Sequence, residues 1–261
     1  SWRYKAPVLT AWSTPGAALL ATSLQGVTLA ETIGIFIFAN ALILLCGVTG
    51  LFARLMKIIP HSLAAAMLAG VLLRFGLQAF SNIDGHLVLC GSMLLAWLAA
   101  KALAPRYAIV ATLLVGAAVA GLNGDVVTEK LTLTLVMPQF IAPSFTLTTL
   151  ISIGIPFFLV TMASQNAPGF ATLKASGYPV AVSPLIIATG GLALLLAPLG
   201  VYSICIAAIT AAICQSPDAH PDPDKRWLAA AAAGVFYLLA GVFGGSITGV
   251  MAALPLSWIQ T

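Results

Sequence analysis

Two proline-punctuated segments interrupt an otherwise apolar chain: residues 7–16 (Pro-Val-Leu-Thr-Ala-Trp-Ser-Thr-Pro-Gly) and residues 198–205 (Pro-Leu-Gly-Val-Tyr-Ser-Ile-Cys). Each joins a short stretch of polar and β-favouring residues to a helical run of small residues. In hydrocarbon every backbone N–H and C=O needs a partner, so a broken helix survives at membrane depth only where it lines a cavity enclosed by protein. Two such breaks, one in each half of a chain, point to a solute-binding site near the middle of a membrane.

Composition makes the membrane reading firm. Apolar residues are 61% of the chain and charged residues 7%, with mean hydropathy +1.07. A soluble domain carries about 25% charged residues, so a water-facing surface cannot be built here and lipid must be the main solvent. Trp2, Arg3 and Lys5 run into Pro7 rather than a long apolar core, which is not the pattern of a cleavable signal peptide. Cys46, Cys90, Cys205 and Cys214 stand singly in apolar runs and read as small core hydrophobes rather than disulfide or metal ligands. The net charge of +4 is scattered over short loops, so it reports topology and not nucleic-acid binding. No Walker A, GxGxxG or GxSxG pattern occurs, and no nucleophile–base pair is visible, so neither an ATP-driven pump nor an enzyme is expected and no cofactor is implied.

The apolar runs predict an all-α membrane protein. Spans are expected over residues 33–52, 62–80, 87–100, 107–122, 147–163, 182–197 and 227–243, with a shorter segment over 246–258. Half-length helices are expected over 14–23 and in the interrupted segment 199–214. A polar, β-branched stretch over 126–143 reads as an external excursion with strand character. When both interrupted segments count as crossings, nine of the eleven basic residues (Arg3, Lys5, Arg54, Lys57, Lys101, Arg106, Lys174, Lys225 and Arg226) fall on one side. By the excess of Lys and Arg in cytoplasmic loops that side is the cytoplasm, and the chain makes ten crossings. Lys130 falls outside, and Arg74 lies within a span, where a structural or gating role is expected.

In the first interruption Thr14 is a candidate N-cap with Pro15 at the first helical position. The exposed helix N-terminus suits an anion such as a carboxylate, and Trp12 could stack on an aromatic ring beside it. An ordinary loop-to-helix start with Trp12 in the interfacial belt is the alternative. In the second, Pro198 and Gly200 break the helix, Val201 and Tyr202 extend it, and Ser203 could cap the run 204–214; a simple interhelical turn is the alternative. The third signal is Ser164-Gln165-Asn166-Ala167-Pro168-Gly169, expected as a break. Adjacent amides in an apolar span are costly unless they bond a ligand or clamp a neighbouring helix. His61 and His220 sit at a helix start and in an aqueous loop, away from any proton relay.

These same residues carry a resemblance. The run from Pro7 to Leu20, the Gln165-Asn166-Ala-Pro-Gly169 segment, and residues 207–214 with Ala219-His-Pro-Asp222 resemble the BenE-type benzoate:proton symporter family, and the likeness runs through the whole chain. It implies the architecture shared with uracil and sulfate permeases: fourteen segments in two inverted seven-segment repeats. About ten of these, segments 3 to 12, would be present, with segments 3 and 10 as strand-plus-half-helix elements. It also implies a core domain (about 7–52 and 147–214) and a gate domain (about 62–122 and 227–261). Family members are longer at both ends, by about two segments each. Where nucleobase carriers place acidic residues in segments 8 and 10, this chain has Gln165, Asn166 and Ser203.

The combined expectation is a multi-pass protein of the bacterial inner membrane that takes up an aromatic carboxylate with a proton by alternating access. The substrate-binding residues expected are Trp12, Ser13, Thr14, Gln165, Asn166, Tyr202 and Ser203. A nucleobase or inorganic anion on the same scaffold is the alternative solute, and a channel is the alternative mechanism. Related folds pair through their gate domains, so a homodimer is the oligomer to test for.

Overall fold

The computed structural model of the chain describes residues 1–58, 73, 77, 87–104, 107–123 and 138–244. The chain divides into two compact units, Ser1–Ala69 with Pro138–Gly234 and Gly70–Met137 with Val235–Thr261.

The first unit opens with a strand, β1 (Thr10–Ala11), and a ten-residue helix, α1 (Thr14–Ser23). Ten residues rise only about 15 Å, half a bilayer core. The next helix, α2 (Leu29–Val48), is long enough to cross. It starts four residues before the expected span because Thr28 and Glu31 form a capping box. The Thr28 hydroxyl accepts the Glu31 N–H at 3.3 Å, and the Glu31 carboxylate accepts the Thr28 N–H at 3.1 Å. It ends early because Gly50 turns left-handed (φ 67°) just past it, and α3 (Leu51–Ile58) begins afresh.

Further along the first unit, after residues 138–146, comes a 29-residue helix, α6 (Leu147–Ala175). It corrects the expected break at 164–169. Pro156 and Pro168 each lack an N–H and would clash with the carbonyl four residues back, on Ser152 and Ser164. Both carbonyls lie in wide π turns, Leu150–Gly154 and Met162–Asn166, which open the helix where each ring intrudes. The helix therefore continues through both prolines. Helix α7 (Val182–Leu196) packs along α2 with little room between them. A Cβ on Gly190 would lie 3.0 Å from Ile43 Cγ2, and one on Gly47 would lie 2.9 Å from Ile187 Cγ1, the small-residue contact typical of membrane helices.

After α7 a tight turn over Ala197–Leu199 ends on Gly200, whose φ of 92° favours glycine. The chain then enters β2 (Cys205–Ile206) and α8 (Ile209–Gln215). Val201 and Tyr202, expected as the extended stretch, precede the strand rather than form it. The end of α8 is closed by Arg226, whose Nη1 donates to the Gln215 carbonyl at 2.9 Å and whose Nε donates to the His220 carbonyl at 2.8 Å. Helix α9 (Trp227–Val242) follows, and its Ala229, Ala230 and Ala233 pack with Leu9, Ala207, Ala211 and Cys214. Residues 138–146 form no strand; the Ile141 N–H bonds to the Pro198 carbonyl, and the Ser144 N–H to that of Ala30.

In the second unit, α4 (Leu87–Leu103) and α5 (Ala108–Leu122) pack through Leu89, Met93 and Ala120. Cys90, Cys205 and Cys214 are buried and Cys46 half-buried, all as packed thiols. Leu29–Val48, Leu147–Ala175, Val182–Leu199 and Pro223–Val242 are each long and apolar enough to cross a membrane. The expected span over 62–80 with Arg74 (all but Leu73 and Leu77), His61, residues 126–137 of the expected excursion and the segment over 246–258 lie outside the described residues.

Candidate functional site

The site is built on a ribbon two residues long. β1 and β2 pair antiparallel, Thr10 opposite Ile206 and Ala11 opposite Cys205, and the Ala207 N–H bonds to the Leu9 carbonyl at 2.9 Å. Two residues separate each strand from the helix that follows it, which begins at Thr14 for α1 and at Ile209 for α8. Because the strands run oppositely, the two helices leave opposite ends of the ribbon, each with its N-terminus nearest it.

The two starts differ. Ser13, not Thr14, caps α1: its Oγ accepts the Gly16 N–H at 3.1 Å, which leaves Thr14 exposed as the first helical residue and Pro15 within the first turn. Ser13 is fully buried. Its own N–H donates to the Ser203 Oγ at 2.9 Å, and Thr161 Oγ1 donates to its hydroxyl at 3.4 Å. Ser203 therefore ties the two arms together and caps no helix, which corrects the expected 204–214 run. Helix α8 starts five residues later with Ala208 at its cap position and no side-chain cap bond.

Tyr202 packs its ring against Phe36 and Phe157, with centroids 6.0 and 6.2 Å away, and its hydroxyl lies 3.5 Å from the Ser13 carbonyl. Asn166 is fully buried; its Oδ1 accepts the Ile206 N–H at 3.0 Å and its Nδ2 donates to Met162 Sδ at 3.3 Å. Gln165, beside it, is half-buried and its amide makes no hydrogen bond among the described residues. The π turn that carries both packs against α1 and β2. Trp12 is 58% exposed, so its indole is not held against the ribbon's core. Among the expected residues, then, Ser13, Tyr202, Ser203 and Asn166 are engaged by the scaffold, and Trp12, Thr14 and Gln165 have free polar or aromatic surface.

Sequence reasoning missed Asn40 and Thr161. Asn40 is a lone amide in the apolar run of α2, a signal of the same kind as Gln165-Asn166. Its Nδ2 donates to the Phe36 carbonyl at 2.8 Å and the Tyr202 carbonyl at 3.0 Å. Gly169 had read as part of a break. In fact a Cβ there would collide with the Ile206 carbonyl, so glycine is what lets α6 lie against β2.

The family model for benzoate membrane transport proteins, BenE, matches residues 1–261. The chain belongs to the BenE family. It is 67% identical over 257 residues to the inner membrane protein YdcO of Escherichia coli K12, and 40% identical over 255 residues to the benzoate membrane transport protein of Acinetobacter baylyi. Each alignment covers 98% of this chain, but only 66% and 65% of those relatives, a little under two-thirds of their length. No solved structure matches the chain. The BenE family is one of membrane transporters, not of enzymes.

Proposed function

We propose that this BenE-family chain is the ribbon-bearing part of an inner-membrane carrier that takes up benzoate or a similar aromatic carboxylate with a proton. The observation that carries the reading is the ribbon itself. Two half-helices start at its opposite ends with their N-termini toward the crossing; in α1 Pro15 has no N–H and Ser13 takes that of Gly16, so the Thr14 N–H is the first-turn amide left for a solute. A carboxylate there would meet the α1 first turn beside Thr14, and the free amide of Gln165 would add a hydrogen bond. Trp12 would close over the ring, while Ser13, Tyr202, Ser203 and Asn166 hold the crossing in shape. The names of two relatives, an inner membrane protein and a benzoate transport protein, support the location and the solute.

In this reading residues of about 7–52 and 147–214 form the moving core and those of about 62–122 and 227–261 the gate. The antiparallel ribbon would lie where two inverted seven-segment repeats meet, and the gate would supply the face of a homodimer. The test is uptake of labelled benzoate by the full-length protein in proteoliposomes. Saturable accumulation driven by an inward proton gradient and collapsed by a protonophore is expected. Passive, non-saturable flux would identify a channel, and displacement of benzoate by uracil or sulfate would transfer the site to those solutes.

A further inference from the structure

The strand β2 is too short to define its own position, since its ladder to β1 spans two residue pairs. Two side-chain amides from different helices supply what the ladder lacks. Asn40, twelfth of the twenty residues of α2, bonds to the carbonyl of Tyr202 ahead of the strand. Asn166, the last residue of the second π turn of α6, takes the N–H of Ile206 within the strand. Both are fully buried. Their orientations follow from chemistry. Asn40 faces two carbonyl oxygens and can only donate to them, whereas Asn166 faces an N–H and can only accept.

We infer that Asn40 and Asn166 are positioning residues for solute binding. One acts as a donor and the other as an acceptor, and together they set the register in which Ser203 meets Ser13. That register keeps α1 packed against the π turn that carries Gln165. Neither amide touches the solute. The π turn matters to this arrangement because it rotates Asn166 toward β2 while leaving the neighbouring Gln165 amide unengaged. The clamp has one jaw on α2 and the other on α6, so a shift between those helices changes the crossing, and with it the site. The inference rests on the proposed transport reading only for the uptake arm of its test.

The donor–acceptor asymmetry makes it testable in full-length protein. In Asn166→Asp the carboxyl offers an oxygen to the Ile206 N–H whether ionised or protonated. In Asn40→Asp an ionised carboxylate opposes two carbonyls, and only the protonated acid can donate to one of them. At one fixed pH, benzoate KM relative to native protein should rise about tenfold more for Asn40→Asp, which loses both donated hydrogen bonds, than for Asn166→Asp, which keeps an acceptor for the Ile206 N–H. An equal rise in the two would overturn the assignment, and a merely structural role predicts no such split. In the exchange arm, Asn166→Leu should speed amide exchange across 201–208 about tenfold while 155–161 keeps its native rate. Unchanged exchange across 201–208 would also overturn it. If the Leu variant does not fold, exchange in Asn40→Asp against native protein at the same pH decides instead: faster over 201–208 with 155–161 unchanged if the inference holds, and native rates over 201–208 if it does not. If native protein takes up no benzoate, the transport reading fails and the exchange arm alone decides this one.

Discussion

The two arms of the ribbon look alike in sequence and are held in different ways. The first arm closes itself: Ser13 caps the helix three residues on, Pro15 sits in the first turn, and β1 leads straight into α1. The second arm has no cap of its own. Its helix starts at Ile209 behind Ala208, and its position comes from Asn40, Asn166, and the close approach of Gly169 to Ile206. One arm is specified locally and the other by residues far away in the chain. The arm held by neighbouring helices would follow a shift of those helices, which is what the proposed alternating access would use.

The comparison can be broken first at the glycines. Gly169→Ala drives a Cβ into the backbone carbonyl of Ile206, where nothing flexible can yield, so a loss of about 2–3 kcal/mol and a marked drop in folded protein are expected. Gly16→Ala meets the edge of the Phe157 ring and the Ser13 hydroxyl, side chains that can shift, so its loss should be clearly smaller. Thermal unfolding of the two in detergent checks the order. Next, Ser203→Ala strands the buried Ser13 N–H and should cost about 1–3 kcal/mol. Ser13→Ala removes the cap of α1 and should cost about 1 kcal/mol. If Ser13→Ala proves the more damaging, the arms are tied less tightly than the hydrogen bonds imply. The smallest effect belongs to Thr14→Ala, since Thr14 is exposed and is not the cap; unfolding within about 0.5 kcal/mol of native is expected.

Much of the first arm was legible in sequence. A β-favouring run, then Ser-Thr-Pro-Gly, marks strand, cap and helix start within seven residues, and the helix 14–23 was placed correctly even though the cap was moved by one. The second arm was harder because its determinants are not local. The pairing of Thr10 with Ile206 joins residues nearly two hundred apart, and no turn signal specifies that register. Pro168 misled for a related reason. A proline in an apolar span reads as a break, and only the wide turn over Met162–Asn166 shows how the helix absorbs it. Asn40 was visible as an isolated amide, but its partners are backbone carbonyls, which carry no sequence signature. The proposed solute site was legible only as a set of polar residues. Which of them are engaged by the scaffold, and which stay free, depends on the ribbon.

Gln165 and Asn166 are adjacent in one π turn and differ in this respect, so Gln165 is where the account is most exposed. The deciding measurement is benzoate KM for Gln165→Ala in the full-length protein, reconstituted beside the native protein, with unfolding followed in parallel. A KM raised about tenfold is expected, the loss of one hydrogen bond to a charged group, with unfolding unchanged because that amide makes no hydrogen bond among the described residues. A native KM in a normally folded Gln165→Ala protein would contradict it and move the site away from the ribbon.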